Sequence, residues 1–270
     1  MKDKEQSDRL VTAVSQTSKY QHVSPALIRR IGEAELAKRR SYKEALKATK
    51  NKLHQVGGAY QESKIDYDKV LARLKEAQHG GAEAQRETLL DVMRLHTSTK
   101  ERLQILDIFY AETLAGLPPI HRVMDIACGL NPLARNWMPL AAETSYLAYD
   151  IYADTMQFLT DYFALTGIPG RAEVRDVIAE PPTEPVDLVL MLKTLPVLAQ
   201  IDKTAVPRLL DFLQATYLLI SFPAKSLSGR QKGMVPTYDA HFEGWRAGRD
   251  WQVKRFEFEN ELAFLVETKI

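Results

Sequence analysis

Three acidic residues stand at the ends of three apolar runs in the second half of this 270-residue chain: Asp125, Asp150 and Asp176. The first run, Val123-Met124-Asp125-Ile126, passes straight into Ala127-Cys128-Gly129-Leu130-Asn131-Pro132, a glycine turn followed by a helix start. Open α/β sheets hold nucleotide-like ligands in this way, because such ligands sit at the carboxyl ends of the strands. A carboxylate about 20 residues past the glycine turn can accept both hydroxyls of a ribose, and Asp150 has that position. Asp176 can accept a hydrogen bond from an adenine amino group, with the backbone of Val177 available to the ring. Gly129 lets the backbone approach the ligand where a side chain would fill the space. Asp125 either orients the loop or reaches an ammonium group. Taken singly, Asp125 or Asp150 also reads as a cap on the following helix, but three acids on three successive strand ends are harder to explain as caps.

Several chemistries are excluded. The G-x-G-x-x-G signature is absent, which weighs against a nicotinamide dinucleotide. The single cysteine forbids an intrachain disulfide and any zinc site built on several thiolates, and it suits a reducing cytoplasm. Lying inside the glycine turn, Cys128 reads as a small loop filler rather than a nucleophile. No Ser/His/Asp or Cys/His arrangement stands out. The charged N-terminal segment and the lack of a run of about 20 apolar residues indicate neither secretion nor membrane insertion.

The elements that must position these acids follow from periodicity. Alternating strands and helices from Val123 onward predict a mostly parallel sheet. Its strands are expected at 122–127, 145–150, 172–176, 186–192 and 217–222, with helices at 153–166 and 203–214, and 251–258 and 261–268 as a terminal antiparallel hairpin. Residues 1–115 read as all-helical. Ser24-Pro25 opens one helix, and Ser41-Tyr42-Lys43-Glu44 is a capping box for a second. A third is expected over 62–78. A second capping box, Ser98-Thr99-Lys100-Glu101, is expected to start a helix reaching Leu114. Gly116-Leu117-Pro118-Pro119 then separates a helical domain, 1–115, from an α/β domain, 116–270. Charge divides in a similar place. Residues 1–80 carry 17 Lys and Arg against 10 Asp and Glu, a net +7, which leaves −6 for the remainder. A basic appendage on an acidic partner domain points to a polyanionic substrate or to a solvated helical surface. Its candidate contacts are Arg29, Arg30, Lys38, Arg39, Arg40, Lys43, Lys47 and Lys50.

Five β/α units followed by a hairpin is the order of class I, Rossmann-like methyltransferases that use S-adenosylmethionine. Longer segments narrow this further. Leu53-His54-Gln55 with Gly58-Ala59-Tyr60, Leu95–Arg102, Asp125–Pro132, Ser221-Phe222-Pro223 with Lys225-Ser226-Leu227, Gly229-Arg230 and Gly233-Met234 resemble the aminoglycoside-resistance 16S rRNA (guanine-N7) methyltransferases, the Arm or Sgm-like group. The likeness runs over nearly the whole chain. It implies S-adenosyl-L-methionine as cofactor, the 30S ribosomal subunit with its 16S rRNA as partner, no membrane or DNA partner, and methylation of a guanine N7 in the decoding-site helix, blocking drugs of the gentamicin type.

Carried onto this chain, the resemblance implies that Arg102 holds the cofactor carboxylate by a planar fork of donors, against the alternative of a surface ion pair with Glu101 or Asp107. It sets Arg102 with Gly129, Asp150 and Asp176 around the cofactor, where the residue reading adds Asp125, Ala127 and Val177; His96 reads as structural, at the following helix start. Guanine N7 has a free lone pair, so no catalytic acid or base is expected. Positioning falls to Ser221, Phe222 and Pro223, with Phe222 either stacking on the target base or packing in the sheet. Lys193, Lys225 and Arg230 would hold phosphates nearby. Competing readings are a methyltransferase for tRNA, a small molecule or a protein, and a non-enzymatic RNA-binding protein.

Overall fold

The computed structural model describes residues 2–58, 64–224 and 234–269. Seven strands form one sheet: β1 (Arg122–Ile126), β2 (Ser145–Asp150), β3 (Gly170–Val174), β4 (Val186–Leu192), β5 (Ala215–Pro223), β6 (Gln252–Glu257) and β7 (Glu261–Glu267). Their spatial order is β3-β2-β1-β4-β5-β7-β6. The first five run parallel, and β7 is antiparallel to both β5 and β6. The expected hairpin is therefore present, but it has a twist of topology. The helix α11 (Met234–Arg246), which the sequence reading had not placed, crosses over between β5 and β6 and makes β6 parallel to β5, and β7 is then inserted between them.

Side-chain alternation along the strands sorts residues onto two faces. Val123, Tyr146, Leu188, Leu190, Leu219, Ala263 and Leu265 pack under α4 (Tyr67–Ala77), α5 (Gly81–Met93), α7 (Leu106–Thr113) and α8 (Ala153–Thr166). Met124, Ile126, Leu147, Val189, Ile220, Phe222 and Phe264 face α9 (Leu195–Ile201), α10 (Ala205–Phe212) and α11. A third core lies within α1 (Lys2–Ser15), α2 (Pro25–Lys38) and α3 (Tyr42–Leu53), where Leu10, Val14, Leu27, Ile28, Ile31, Ala45 and Leu53 are buried and Ile151, Tyr152 and Ile201 pack against them. Helices α4, α5 and α7 thus share the sheet's core, while α1–α3 have a core of their own.

Local chemistry explains the helix starts. Ser24 Oγ accepts from the amide of Leu27, with Pro25 at the first helical position, and Ser41 Oγ accepts from Glu44. The third expected helix begins later, at Tyr67, because Asp66 caps it through the amide of Lys69. The helix expected over 98–114 is two helices, α6 (Thr97–Arg102) and α7. Its capping box does not form: His96 occupies the cap position, and the Thr99 hydroxyl donates to the carbonyls of Met93 and His96. The third strand begins two residues earlier than expected, so Asp176 lies just beyond its end.

The N-terminal helices are fastened to the sheet beside the end of β2. The amide of Ser24 donates to Ile151 O at 2.8 Å, the amide of Ala153 donates to His22 O at 2.8 Å, and Val23 bridges Tyr152.

Candidate functional site

The carboxyl ends of β1, β2 and β4 open into a cleft, which also reaches Arg102, Asp176 and Val177. Its floor is the turn after β1, where Ala127 and Gly129 have φ of +53° and +50°. Those left-handed conformations reverse the chain so that the amide of Gly129 points at Asp150, donating to Oδ2 at 2.8 Å. A Cβ at Gly129 would lie 2.8 Å from the Cε1 of His96, so the left-handed backbone and the histidine ring packed on this turn both favour glycine. Asp150 Oδ1 accepts from the amide of Ile151 at 2.6 Å. Burial raises the pKa of Asp150, and the amides of Gly129, Ile151 and Tyr152 partly offset the rise.

Across the cleft runs a buried polar network. Asp125 Oδ2 accepts from Tyr146 Oη at 2.7 Å and from Asn131 Nδ2 at 2.8 Å. Asn131 Oδ1 accepts in turn from Arg102 Nη1 at 3.0 Å and from Tyr110 Oη. The Arg102 guanidinium, 2% exposed, donates through Nε and Nη2 to Glu261, which begins β7 and is fully buried. Ser221 Oγ also donates to Glu261, at 2.6 Å. Lys193 Nζ lies 3.4 Å from Glu261 and 2.7 Å from Glu101. Burial works against ionisation of Glu261, but the charges of Arg102 and Lys193 outweigh it and hold its pKa low. Asp125 moves the other way: burial lifts it to about 6, against the hydrogen bonds from Asn131 and Tyr146. Burial, helped by the charges of Arg102 and Lys193, depresses His96 to about 4. Burial pushes the Cys128 thiol well up, which fits an inert filler.

The structure therefore brings Arg102, Asp125, Ala127, Gly129, Asp150, Asp176 and Val177 around one cleft. The alternative of a surface ion pair for Arg102 is corrected: its partner is Glu261, 159 positions away and buried with it. Phe222 is also corrected. Strand alternation points it to the α11 face, fully buried, stacked on Tyr238 with ring centroids 5.0 Å apart and packed beside Trp245 and Phe264, so it cannot stack on a target base. Ser221 faces the side of the sheet opposite Phe222 and is spent on Glu261, and Pro223, half-buried, pairs with Glu261 across the β5–β7 ladder. Lys193, 6% exposed and held by two carboxylates, is not a solvated phosphate contact. Lys225 and Arg230 lie outside the described residues.

Among the basic helices, Arg29 pairs with Asp8, Arg39 with the buried Glu35, and Lys50 donates to Thr17 Oγ1. Lys38, Arg40, Lys43 and Lys47 are exposed and form no ion pair among the described residues. Arg30 departs from the expected stripe, since its guanidinium donates to both oxygens of Asp176, a residue of the cleft.

Sequence reasoning missed Asn131, Glu261 and the roof of the cleft. Asn131 stood inside the recognised turn motif. Glu261 is an acid opening the largely apolar strand Glu261–Glu267, and that was its only signal. The roof is built by Leu27 of α2 and by Val56 and Gly57 of the π-helical turn His54–Gly58 after α3. At Gly57 any side chain would collide with the Tyr152 hydroxyl.

The residues fit S-adenosylmethionine. A guanidinium has five N–H donors, and Glu261 and Asn131 take three of those of Arg102, leaving two for a carboxylate. Asp150 lies beside the turn for ribose hydroxyls, and Val177, Ile178, Leu198 and Ile201 offer an apolar slot beside Asp176.

Residues 16–265 match the model of the family described as ribosomal RNA methyltransferase (FmrO). A 16S rRNA (guanine(1405)-N(7))-methyltransferase of Frankia casuarinae is 40% identical over 96% of this chain and 93% of its own length. One from Micromonospora echinospora is 36% identical over 96% of both. The crystal structure of the 16S rRNA methyltransferase RmtF in complex with S-adenosyl-L-homocysteine superposes with a TM-score of 0.84 at 30% identity, covering 98% of this chain and 99% of RmtF.

Proposed function

The chain belongs to the ribosomal RNA methyltransferase (FmrO) family, and on that premise we propose that it acts on the intact 30S subunit, at a guanine N7 in the decoding-site helix. It is an S-adenosylmethionine-dependent 16S rRNA (guanine-N7) methyltransferase with a class I fold. Aminoglycoside resistance is the expected consequence of its reaction. The observation that best supports this reading is the convergence of Arg102, Asp150 and Asp176 on one cleft at the strand ends.

When bound, S-adenosylmethionine supplies a methyl group activated on a sulfonium sulfur. The chain's own residues bind and orient. Arg102 offers its two remaining donors to the carboxylate of the amino-acid moiety, and Asp150 and Asp176 accept from ribose and adenine. The apolar slot of Val177, Ile178 and Leu198 excludes water from the ring. Guanine N7 presents an unprotonated lone pair, so no group has to take a proton. His96 is neutral at pH 7, and Asp125 is locked by Asn131 and Tyr146. The rate then comes from placing N7 in line with the methyl group at near-attack distance.

The exposed Lys38, Arg40, Lys43 and Lys47 suit phosphate contacts, which supply affinity and register without sequence information. On this reading the helices of residues 1–115 dock on the subunit, and 116–270 carry the chemistry together with Arg102 and the cleft residues Leu27, Val56 and Gly57. The described helices include none long and apolar enough to cross a membrane. The test is incubation with labelled S-adenosylmethionine and intact 30S subunits, then primer extension after borohydride and aniline cleavage at 7-methylguanine. A single break at the decoding-site guanine is expected. Label confined to tRNA, or present only on free 16S rRNA, overturns the subunit proposal.

A further inference from the structure

The N-terminal helices do not merely stand beside the cofactor cleft. Arg30, on α2, donates through Nε to Asp176 Oδ2 at 2.7 Å and through Nη2 to Oδ1 at 3.0 Å, a two-point fork across 146 residues of sequence. The pair is well sheltered, with side-chain exposures of 28% for Arg30 and 6% for Asp176. The amide of Ile178 adds a third donor, to Oδ1 at 3.1 Å. A carboxylate offers about four acceptor positions, two on each oxygen. Both of those on Oδ1 are taken, and one of those on Oδ2. One acceptor position on Oδ2 remains.

Helix α2 is also fixed at its start, where Ser24 and His22 bond the backbone at Ile151 and Ala153 just past Asp150. Between those two anchors, Leu27 forms part of the cleft wall. The helix therefore spans from the end of β2 to the segment after β3, over the region assigned to the nucleoside.

We propose that Arg30 is a positioning and specificity-determining residue of the cofactor site. It fixes the Asp176 carboxylate so that its one open acceptor position meets a single N–H donor on the ligand's ring, which selects a 6-aminopurine over a 6-oxopurine. This inference rests on the cofactor reading above. A 6-oxo group presents an acceptor to an acceptor, and Asp176 cannot turn away because three donors hold it. Without Arg30, only the amide of Ile178 orients the carboxylate, and its preference between the two rings weakens.

The probes are S-adenosyl-L-homocysteine and S-inosyl-L-homocysteine, titrated calorimetrically into the full chain. Wild type is expected to prefer the adenosyl ligand by roughly 10- to 100-fold, the range of a hydrogen bond to a charged group. Arg30→Met is expected to narrow that ratio by about tenfold, chiefly by weakening the adenosyl ligand. Arg30→Lys keeps the charge but not the two parallel donors, folds where the methionine variant does not, and also narrows the ratio. A purely structural role would weaken both ligands equally, so an unchanged ratio in a folded variant overturns the proposal. Failure of wild type to bind S-adenosyl-L-homocysteine overturns the cofactor reading itself, and is distinguishable because it needs no variant.

Discussion

Asp125, buried, and His96, half-buried against the Gly129 turn, make opposite and measurable contributions to stability across nearly the same pH range. Asp125 titrates in the native state at about 6, above the ordinary aspartate value of 3.8. Between those values the native state keeps a proton that the unfolded chain has released, so stability falls as pH rises and the loss is complete above about pH 6. His96 titrates natively at about 4, below its ordinary 6.5. There the unfolded chain holds the extra proton, so stability rises with pH through that window. At about 1.4 kcal/mol per pH unit, each effect amounts to about 3 kcal/mol, and in the wild type they largely cancel. Asp125→Asn should expose the histidine. Both hydrogen bonds to Asp125 go to one oxygen, Oδ2, and an amide oxygen can take over both. Relative to wild type, Asp125→Asn should gain about 3 kcal/mol as pH rises from 3.8 to about 6, while His96→Gln should lose about as much from about 4 to 6.5. Urea unfolding of all three proteins at half-unit pH steps gives the difference curves, in which every other titration drops out. Curves that are both flat to within about 1 kcal/mol, or that slope the same way, would refute the reasoning.

Three further outcomes are expected. Glu261→Gln leaves the Arg102 charge buried without its counter-charge and should destabilise the fold by about 3–5 kcal/mol, read as a fall in melting temperature of several degrees; Arg102→Met combined with Glu261→Leu should recover much of the loss. Gly129→Ala sets a Cβ 2.8 Å from His96 in a φ +50° conformation and should weaken S-adenosyl-L-homocysteine at least about tenfold, since the αL strain of about 1–2 kcal/mol is relieved by shifting the turn; calorimetry decides it. Lys43→Glu with Lys47→Glu should weaken 30S binding and flatten its salt dependence by about 0.7–0.9 per lost phosphate contact, with cofactor affinity unchanged. An equal loss of both affinities in the folded double variant would remove phosphate docking from the role of α3.

The sheet was legible because its strands are short apolar runs separated by helical periodicity, and Asp125, Asp150 and Gly129 because each sits at the end of such a run. The sides of strand β5 were not. From Leu218 to Phe222 every residue is buried, as in any strand covered on both faces, so periodicity could not say that Phe222 faces α11 while Ser221 faces Glu261. The long-range pairs were equally hidden. Arg102 with Glu261 and Arg30 with Asp176 are joined only by topology, and a basic residue on a helix looks the same in sequence whether it meets phosphate or a carboxylate of its own chain. Lys193 illustrates the cost: at a strand end it was expected to hold phosphate, yet it is buried against Glu101 and Glu261. His96 gave no sign that it would press against Gly129, since that contact depends on where α6 lands on the sheet.

The late insertion of β7 also orders events in time. A chain made from its N-terminus onward produces β1–β5 and α11 before β7 exists, so β5 must wait with one edge unpaired, and Arg102 must wait for Glu261. The strand that fills the gap beside β5 and the carboxylate that neutralises Arg102 arrive in the same seven residues, Glu261–Glu267. Completion of the sheet and completion of the cleft are therefore a single step. Until that strand docks, Arg102 has no buried counter-charge.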